Sequence, residues 1–239
     1  MPTLARPDID LHYEDSGSGP PLLLVAGLAC DSMSWLPVAA PLARSFRLIR
    51  PDNRGVGRTR PQDAASSIEA MADDCAALIR HLGLRRAHLL GHSMGAFIAR
   101  RLAVRHPDLV DRLVLAACGE AAGARNLALF RDLADDYPPA SDPARWHRRL
   151  YPWIFTRGFF EDPAKLDAAT RWALDYPYPQ SAAGFRRQVD AMANDDAAAS
   201  DASRIAARTL ILIGREDLLF PIASAQRVAS AIAGARLAI

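Results

Sequence analysis

Gly91-His92-Ser93-Met94-Gly95 sets a serine between two glycines in the middle of the chain. A short apolar run, Ala87 to Leu90, precedes it, and a stretch of helix-forming residues from Ala96 to Val104 follows. A serine at such a strand-to-helix turn is held in a strained backbone state, and the flanking positions must be small because side chains there would collide with their neighbours. The strain holds the hydroxyl clear of the sheet. The start of the next helix offers free N–H groups and the positive end of a dipole beside it. A nucleophilic serine needs these conditions, and it also needs a base. The sequence holds 6 histidines, and none is paired with Ser93 by spacing. His12 on a strand, His81 and His106 near helix ends, and His88 at a strand start read as surface or packing residues. His92 adjoins the serine, with its ring expected to point away from the hydroxyl, and His147 lies far along the chain.

The elements around this turn alternate. Ile9 to Glu14 reads as an edge strand with one wet face, and Ser16-Gly17-Ser18-Gly19-Pro20 as a turn. Leu22 to Ala26 is a continuous apolar run, the mark of a strand buried on both faces. Phe46 to Pro51 is a third strand, followed by a glycine-rich loop, Asp52 to Gly57. Ile68 to Leu82 has apolar residues at helical spacing and Gly83 as its stop. Leu113 to Ala117 and Leu210 to Gly214 read as buried strands, Ile222 to Ile232 as a helix, and Arg236 to Ile239 as the start of one more strand. Strands alternating with helices predict an α/β fold with a doubly wound, mostly parallel sheet. In such folds ligands lie outside the carboxyl ends of the strands, where Ser93 and the glycine-rich loop also fall.

Residues 120–204 break the alternation. They contain no convincing buried strand, are interrupted by prolines, and hold most of the aromatic residues. This pattern predicts an inserted helical cap, with residues 1–119 and 205–239 as the core. Trp153, Phe159 and Phe160, with Leu219 from the core, are candidates for an apolar pocket lining; the alternative for each aromatic is ordinary packing.

Half of the 239 residues are apolar, enough for one domain with a sizeable core. Acidic and basic residues nearly balance and no Lys/Arg run occurs, which argues against a nucleic-acid partner. Lys165 is the single lysine, and the arginine and alanine bias is that of a GC-rich genome. No apolar run approaches the roughly 18 residues of a membrane span, and the first residues lack the apolar stretch of a signal peptide, so a cytoplasmic location is expected. Cys30, Cys75 and Cys118 are odd in number and scattered, as reduced thiols are. No metal-ligand spacing is present.

These residues together resemble the α/β-hydrolase fold family, in its capped branch of small bacterial serine hydrolases, over nearly the whole chain. Gly91 to Gly95 is similar to the family's nucleophile elbow, Asp52-Asn53-Arg54-Gly55-Val56-Gly57-Arg58-Thr59 to its Asp-x-Arg-Gly-x-Gly loop, and Ile213 to Pro221 to the segment bearing the catalytic acid. The resemblance implies Ser93 as nucleophile and Asp217 as the acid that orients a histidine. The alternative for Asp217 is a helix cap, and Glu120, after another strand, is the second candidate acid. The oxyanion would be held by the backbone N–H groups of Leu28 and Met94. The family usually has His-Gly in the first of these loops, where this chain has Ala26-Gly27; the change removes a side chain and keeps the donor. The catalytic histidine is expected in a loop after the last strand, beyond Ile239. The implied reaction is hydrolysis of a small carboxylic ester or lactone through an acyl-enzyme, as in 3-oxoadipate enol-lactonases and carboxylesterases, with no cofactor. A perhydrolase, a carbon–carbon bond hydrolase and a non-catalytic binder on the same fold are the alternatives.

Overall fold

Alternating apolar runs and amphipathic stretches resolve, in the computed structural model, into eight strands and nine helices among the described residues, 2–138, 142–195 and 202–239. In chain order these are β1 (Thr3–Ala5), β2 (Asp10–Ser16), β3 (Pro21–Val25), α1 (Leu36–Ala43), β4 (Arg47–Pro51), α2 (Ile68–His81), β5 (Ala87–His92), α3 (Met94–Arg105) and β6 (Val110–Ala116). Helices α4 (Ala124–Asp135), α5 (Pro143–Ile154), α6 (Arg157–Phe160), α7 (Pro163–Leu174) and α8 (Ala182–Ala193) follow. Then come β7 (Arg208–Leu212), α9 (Ile222–Ala231) and β8 (Arg236–Ala238).

The strands form one sheet in the order β1-β2-β4-β3-β5-β6-β7-β8. β1 and β2 are antiparallel additions, and β4 through β8 run parallel. The expectation that Ile9 to Glu14 forms an edge strand is corrected here. β1 pairs outside β2, and three residues are too few to carry an alternation signal. The unbroken apolar reading of β3 has a direct cause. Leu22 and Leu24 pack with Trp35 and Leu48 on one face, while Leu23 and Val25 pack with Ile49 and Leu89 on the other. Helices α2 and α3 cover the second face.

Helix α2 begins where Ser67 Oγ accepts the Ala70 N–H at 3.0 Å and ends before Gly83, whose φ of 67° suits a left-handed stop. Its inner face carries Ile68, Met71, Ala72, Cys75, Leu78 and Ile79 at helical spacing. Asp74 shares that buried face. It accepts from Arg54 Nε at 2.6 Å and from Arg6 Nε at 2.9 Å, which ties the loop after β4 to α2.

No strand occurs among the described residues between β6 and β7. Two of the prolines in this stretch start helices there. Pro143 and Pro163 occupy first-turn positions behind Asp142 and Asp162, whose side chains accept the Arg145 and Ala164 N–H groups at 2.8 and 3.0 Å. Trp146, Tyr137 and Phe185 pack ring on ring, and Trp146 Nε1 donates to the Leu133 carbonyl at 2.9 Å. Among the described residues no helix is long and apolar enough to cross a membrane.

Asp74→Ala leaves the nearly buried Arg54 guanidinium short of its main partner, so it should lower unfolding free energy by about 3 kcal/mol or more. Asp73→Ala removes half-exposed pairs with Arg105 and His106 at the adjacent position of the same helix and should cost about 1 kcal/mol or less. Urea unfolding of the two variants checks the contrast.

Candidate functional site

Because β4 to β8 are parallel, the loops after β3, β4, β5, β6 and β7 gather at one edge of the sheet. Ser93 stands at the centre of that edge, at φ 55° and ψ −120°. This is a backbone state that residues with a Cβ avoid. It is fixed from both sides, since the Ser93 N–H donates to the Ala116 carbonyl at 2.9 Å and the Ser93 carbonyl accepts from Ala96 at 2.8 Å. The two glycines are required by contact. A Cβ on Gly91 would lie 2.2 Å from the Gly95 carbonyl oxygen, and one on Gly95 would lie 2.0 Å from that of Val25. Helix α3 starts at Met94, two residues before the apolar periodicity begins.

The loop after β3 passes directly against the serine. A Cβ on Gly27 would lie 3.2 Å from Ser93 Cβ and 3.4 Å from His92 Nδ1. Among the described residues the next amide, Leu28 N–H, donates to no protein acceptor. Met94 N–H opens α3 and has no partner within the helix. Two free donors therefore flank Ser93. Each neighbouring peptide of the loop is anchored. Asn53 Nδ2 donates to the Ala26 carbonyl at 3.0 Å, Cys30 N–H to the Gly27 carbonyl at 3.2 Å, and Ala29 N–H to Gln188 Oε1 at 3.0 Å.

Below this loop lies Asp52, fully buried. One of its oxygens accepts from Ser32 N–H and the other from Arg58 N–H, both at 2.8 Å. Asp31, also buried, accepts from Met33 N–H at 2.9 Å and from the Tyr176 hydroxyl. Burial and the charge of Asp52 raise the Asp31 carboxyl above its ordinary value, and the Tyr176 hydroxyl opposes them.

Asp217 lies on the loop after β7. Its Oδ1 accepts the N–H groups of Leu219 and Phe220 at 2.9 and 2.8 Å. It does not cap α9, whose preceding residue is Pro221. Its charge is felt at His92. Desolvation holds that imidazole below its ordinary value, and Asp217 works in the opposite direction. Burial pushes the Cys118 thiol up to about 11, and Asp217 adds to that rise. Ser93, His92 and Asp217 thus belong to one neighbourhood. Glu120 does not face it in the same way, because its carboxylate takes Arg227 Nε at 2.6 Å on the surface.

Trp153 is covered by the Arg125 guanidinium at 5.5 Å, Phe159 stacks on Phe155 at 3.9 Å, and Phe160 meets Phe159 edge-on. Their ring contacts are with one another and with Arg125. Leu219 packs against the core, and its carbonyl accepts Asn126 Nδ2 at 2.7 Å. The remaining histidines are engaged elsewhere. His12 pairs with Glu14, His88 with Asp111 and His106 with Asp73, while His81 meets Tyr13 edge-on and His147 meets Trp146.

Gln188 was not anticipated from the sequence. It is fully buried on α8, and its amide bonds Ala29 N–H, Gln180 Nε2 and, as donor, the Arg54 carbonyl. The available signal is a polar residue at helical spacing among Phe185, Val189 and Met192, all buried.

A family model described as alpha/beta hydrolase fold matches residues 20–238. The 2-hydroxymuconate semialdehyde hydrolase of Pseudomonas sp. (strain CF600) is 31% identical over 242 residues, covering 96% of this chain and 81% of its own. The enol-lactonase of Burkholderia xenovorans LB400 superposes with a TM-score of 0.85 at 27% identity, over 99% of this chain and 90% of its own. A thermophilic esterase from Thermogutta terrifontis gives a TM-score of 0.83 at 27% identity, over 98% and 86%. With its parallel sheet, its strained serine turn and these likenesses, the chain belongs to the alpha/beta hydrolase fold family.

Proposed function

We propose that this family member is a serine hydrolase that cleaves a small carboxylic ester or lactone through an acyl-enzyme. The observation that carries the reading is the backbone of Ser93, at φ 55° between two glycines, with the free amides of Leu28 and Met94 on either side. Such strain persists only where the surroundings enforce it, and it has no packing purpose at this turn.

The steps follow from the placement. Ser93 Oγ attacks the acyl carbon while a base takes its proton. The carbonyl oxygen becomes negative and is held by Leu28 N–H and Met94 N–H, each of which typically speeds such a step by about a hundredfold or more. The leaving alcohol, or the enol or hydroxyl end of an opened lactone, takes the proton from the base. Water then attacks the acyl-enzyme by the same route and releases the acid. Asp217 is the carboxylate that orients and balances the base. One of its oxygens is fixed by two backbone amides, which sets its direction. The base in this reading is a histidine following β8. The parallel pairing of β8 with β7 sends the chain after Ala238 toward the edge that holds Ser93 and Asp217.

Residues 120–204 serve as a cap. Three contacts with the sheet-edge loops support this: Gln188 on Ala29, Asn126 on Leu219, and Arg157 N–H on Glu216. In this reading Trp153, Phe159, Phe160 and Leu219 line the acyl pocket; the Arg125 guanidinium over Trp153 also donates to the Leu218 carbonyl on the Asp217 loop. The name of the Pseudomonas relative favours a second reading, carbon–carbon bond hydrolysis by the same serine and donors. A panel of p-nitrophenyl esters, lactones and vinylogous diketones separates the two.

Ser93→Ala should lower kcat for p-nitrophenyl butyrate by about a thousandfold or more. Equal release by both proteins overturns the reading. Asp217→Asn keeps an oxygen for the Leu219 and Phe220 amides but removes the charge, and should lower kcat by about a hundredfold or more. Glu120→Gln should leave the rate at the wild-type level. If Glu120→Gln proves the damaging change of the two, the acid is misassigned.

A further inference from the structure

The contact of α8 with the loops after β3 and β4 is closer than ordinary helix packing. A Cβ on Gly184 would lie 2.3 Å from the Gly55 carbonyl oxygen, so the helix and the loop touch backbone to backbone. One turn later α8 delivers Gln188 into the interior. Its Nε2 donates to the Arg54 carbonyl at 2.8 Å, and its Oε1 accepts Ala29 N–H at 3.0 Å and Gln180 Nε2 at 3.1 Å. Gln180 Nε2 also donates to the Gly55 carbonyl at 2.8 Å. A single buried amide thus joins three segments that are distant in sequence.

The bond to Ala29 bears on the site. Ala29 holds φ 58°, a left-handed state that a residue with a Cβ avoids unless something holds it there. The peptide before Leu28 N–H follows Ala26, whose carbonyl is held by Asn53. The peptide after Leu28 is the one whose N–H Gln188 holds. The peptide carrying Leu28 N–H is closed by Cys30 N–H on its own Gly27 carbonyl at 3.2 Å, and the peptides on either side of it are fixed by side-chain anchors, Asn53 on the core and Gln188 on the helical segment.

We infer that Gln188 is a positioning residue for oxyanion stabilisation: by holding Ala29 in its left-handed state it aims Leu28 N–H at the reacting carbonyl oxygen, which makes donor alignment depend on α8 being seated. The inference rests on the serine hydrolase reading above. Misplacement of a reacting or stabilising group by about 1 Å can cost up to about a hundredfold in rate, and such a loss falls on the transition state rather than on substrate binding.

The test compares wild type, Gln188→Met, Gln180→Ala and Ser93→Ala. The readouts are kcat and KM for p-nitrophenyl butyrate and the inhibition constant of an alkyl trifluoromethyl ketone, whose serine adduct places an anionic oxygen between the two donors. Gln188→Met keeps chain length but removes all three side-chain bonds. It should lower kcat by about tenfold to a hundredfold, weaken the ketone by a similar factor, and leave KM within about threefold. Gln180→Ala removes only a half-buried partner of Gln188 and should lower kcat by about threefold with KM unchanged. Gln188→Met that is folded by circular dichroism, with kcat and ketone affinity at wild-type levels, overturns the inference. Should Gln188→Met not fold, Gln180→Ala decides, and an unchanged kcat overturns the inference. If Ser93→Ala hydrolyses as fast as wild type, the serine hydrolase reading fails instead, whatever the glutamine variants do.

Discussion

The arrangement at the sheet edge depends on how closely α3 approaches β3 and β5. The carbonyl of Val25 and the backbone at Gly95 are in contact, and Gly91 meets the carbonyl of Gly95 in the same way. No side chain larger than hydrogen fits either position, so the turn has no slack in which Ser93 could relax to an ordinary φ. The helix start brings unpaired N–H groups to the serine, and the same close approach brings the loop after β3 against Ser93 Cβ. Hydroxyl exposure and amide direction are thus consequences of one backbone-to-backbone contact.

Charge at the site is distributed by that geometry. His92 adjoins Ser93 at the exposed end of β5, where the surrounding protein lowers its imidazole and the charge of Asp217 opposes that shift. Asp217 is stabilised differently, by backbone amides of its own loop, which leaves its second oxygen for another partner. Asp52, more deeply buried, has both oxygens consumed by Ser32 and Arg58 amides. The two aspartates share a residue type and a position after a parallel strand, yet one is spent on holding loops and the other is left available.

The sheet was legible because its cause is local. Leu22 to Val25 are buried on both faces, and a run with no polar interruption records that burial directly. The serine turn was legible because glycine is the single residue type that fits at two of its five positions. The edge strand β1 was not, since three residues carry no periodicity, and neither was α1, where Pro37 and Pro41 mask a helix that begins with proline in its first turn. Of the candidate site, Ser93, Met94 and Asp217 were readable from position after a strand. Gln188 was not, because its partners are main-chain groups more than 130 residues away, Ala29 and Arg54. Spacing reports which residues share a helix face; it does not report which carbonyl that face will meet.

The polar bonds between α8 and the loops fix the seating of the helical segment separately from its own packing. Most of its own packing is aromatic, among Tyr137, Trp146 and Phe185, and rings of this kind tolerate exchange at similar volume. The contacts that cross to the core are of another sort. They involve backbone carbonyls and amides at Gly55, Arg54 and Ala29, which no substitution of a side chain on the loop can remove. An amide side chain that satisfies several of them at once is demanding, since a loss of any bond strands a buried polar group. Gln188 is thereby tied to its position by energetics alone, and a loop held by such a residue has one orientation in which every donor and acceptor is met. Among the described residues, Leu28 N–H finds no protein acceptor in the loop so held.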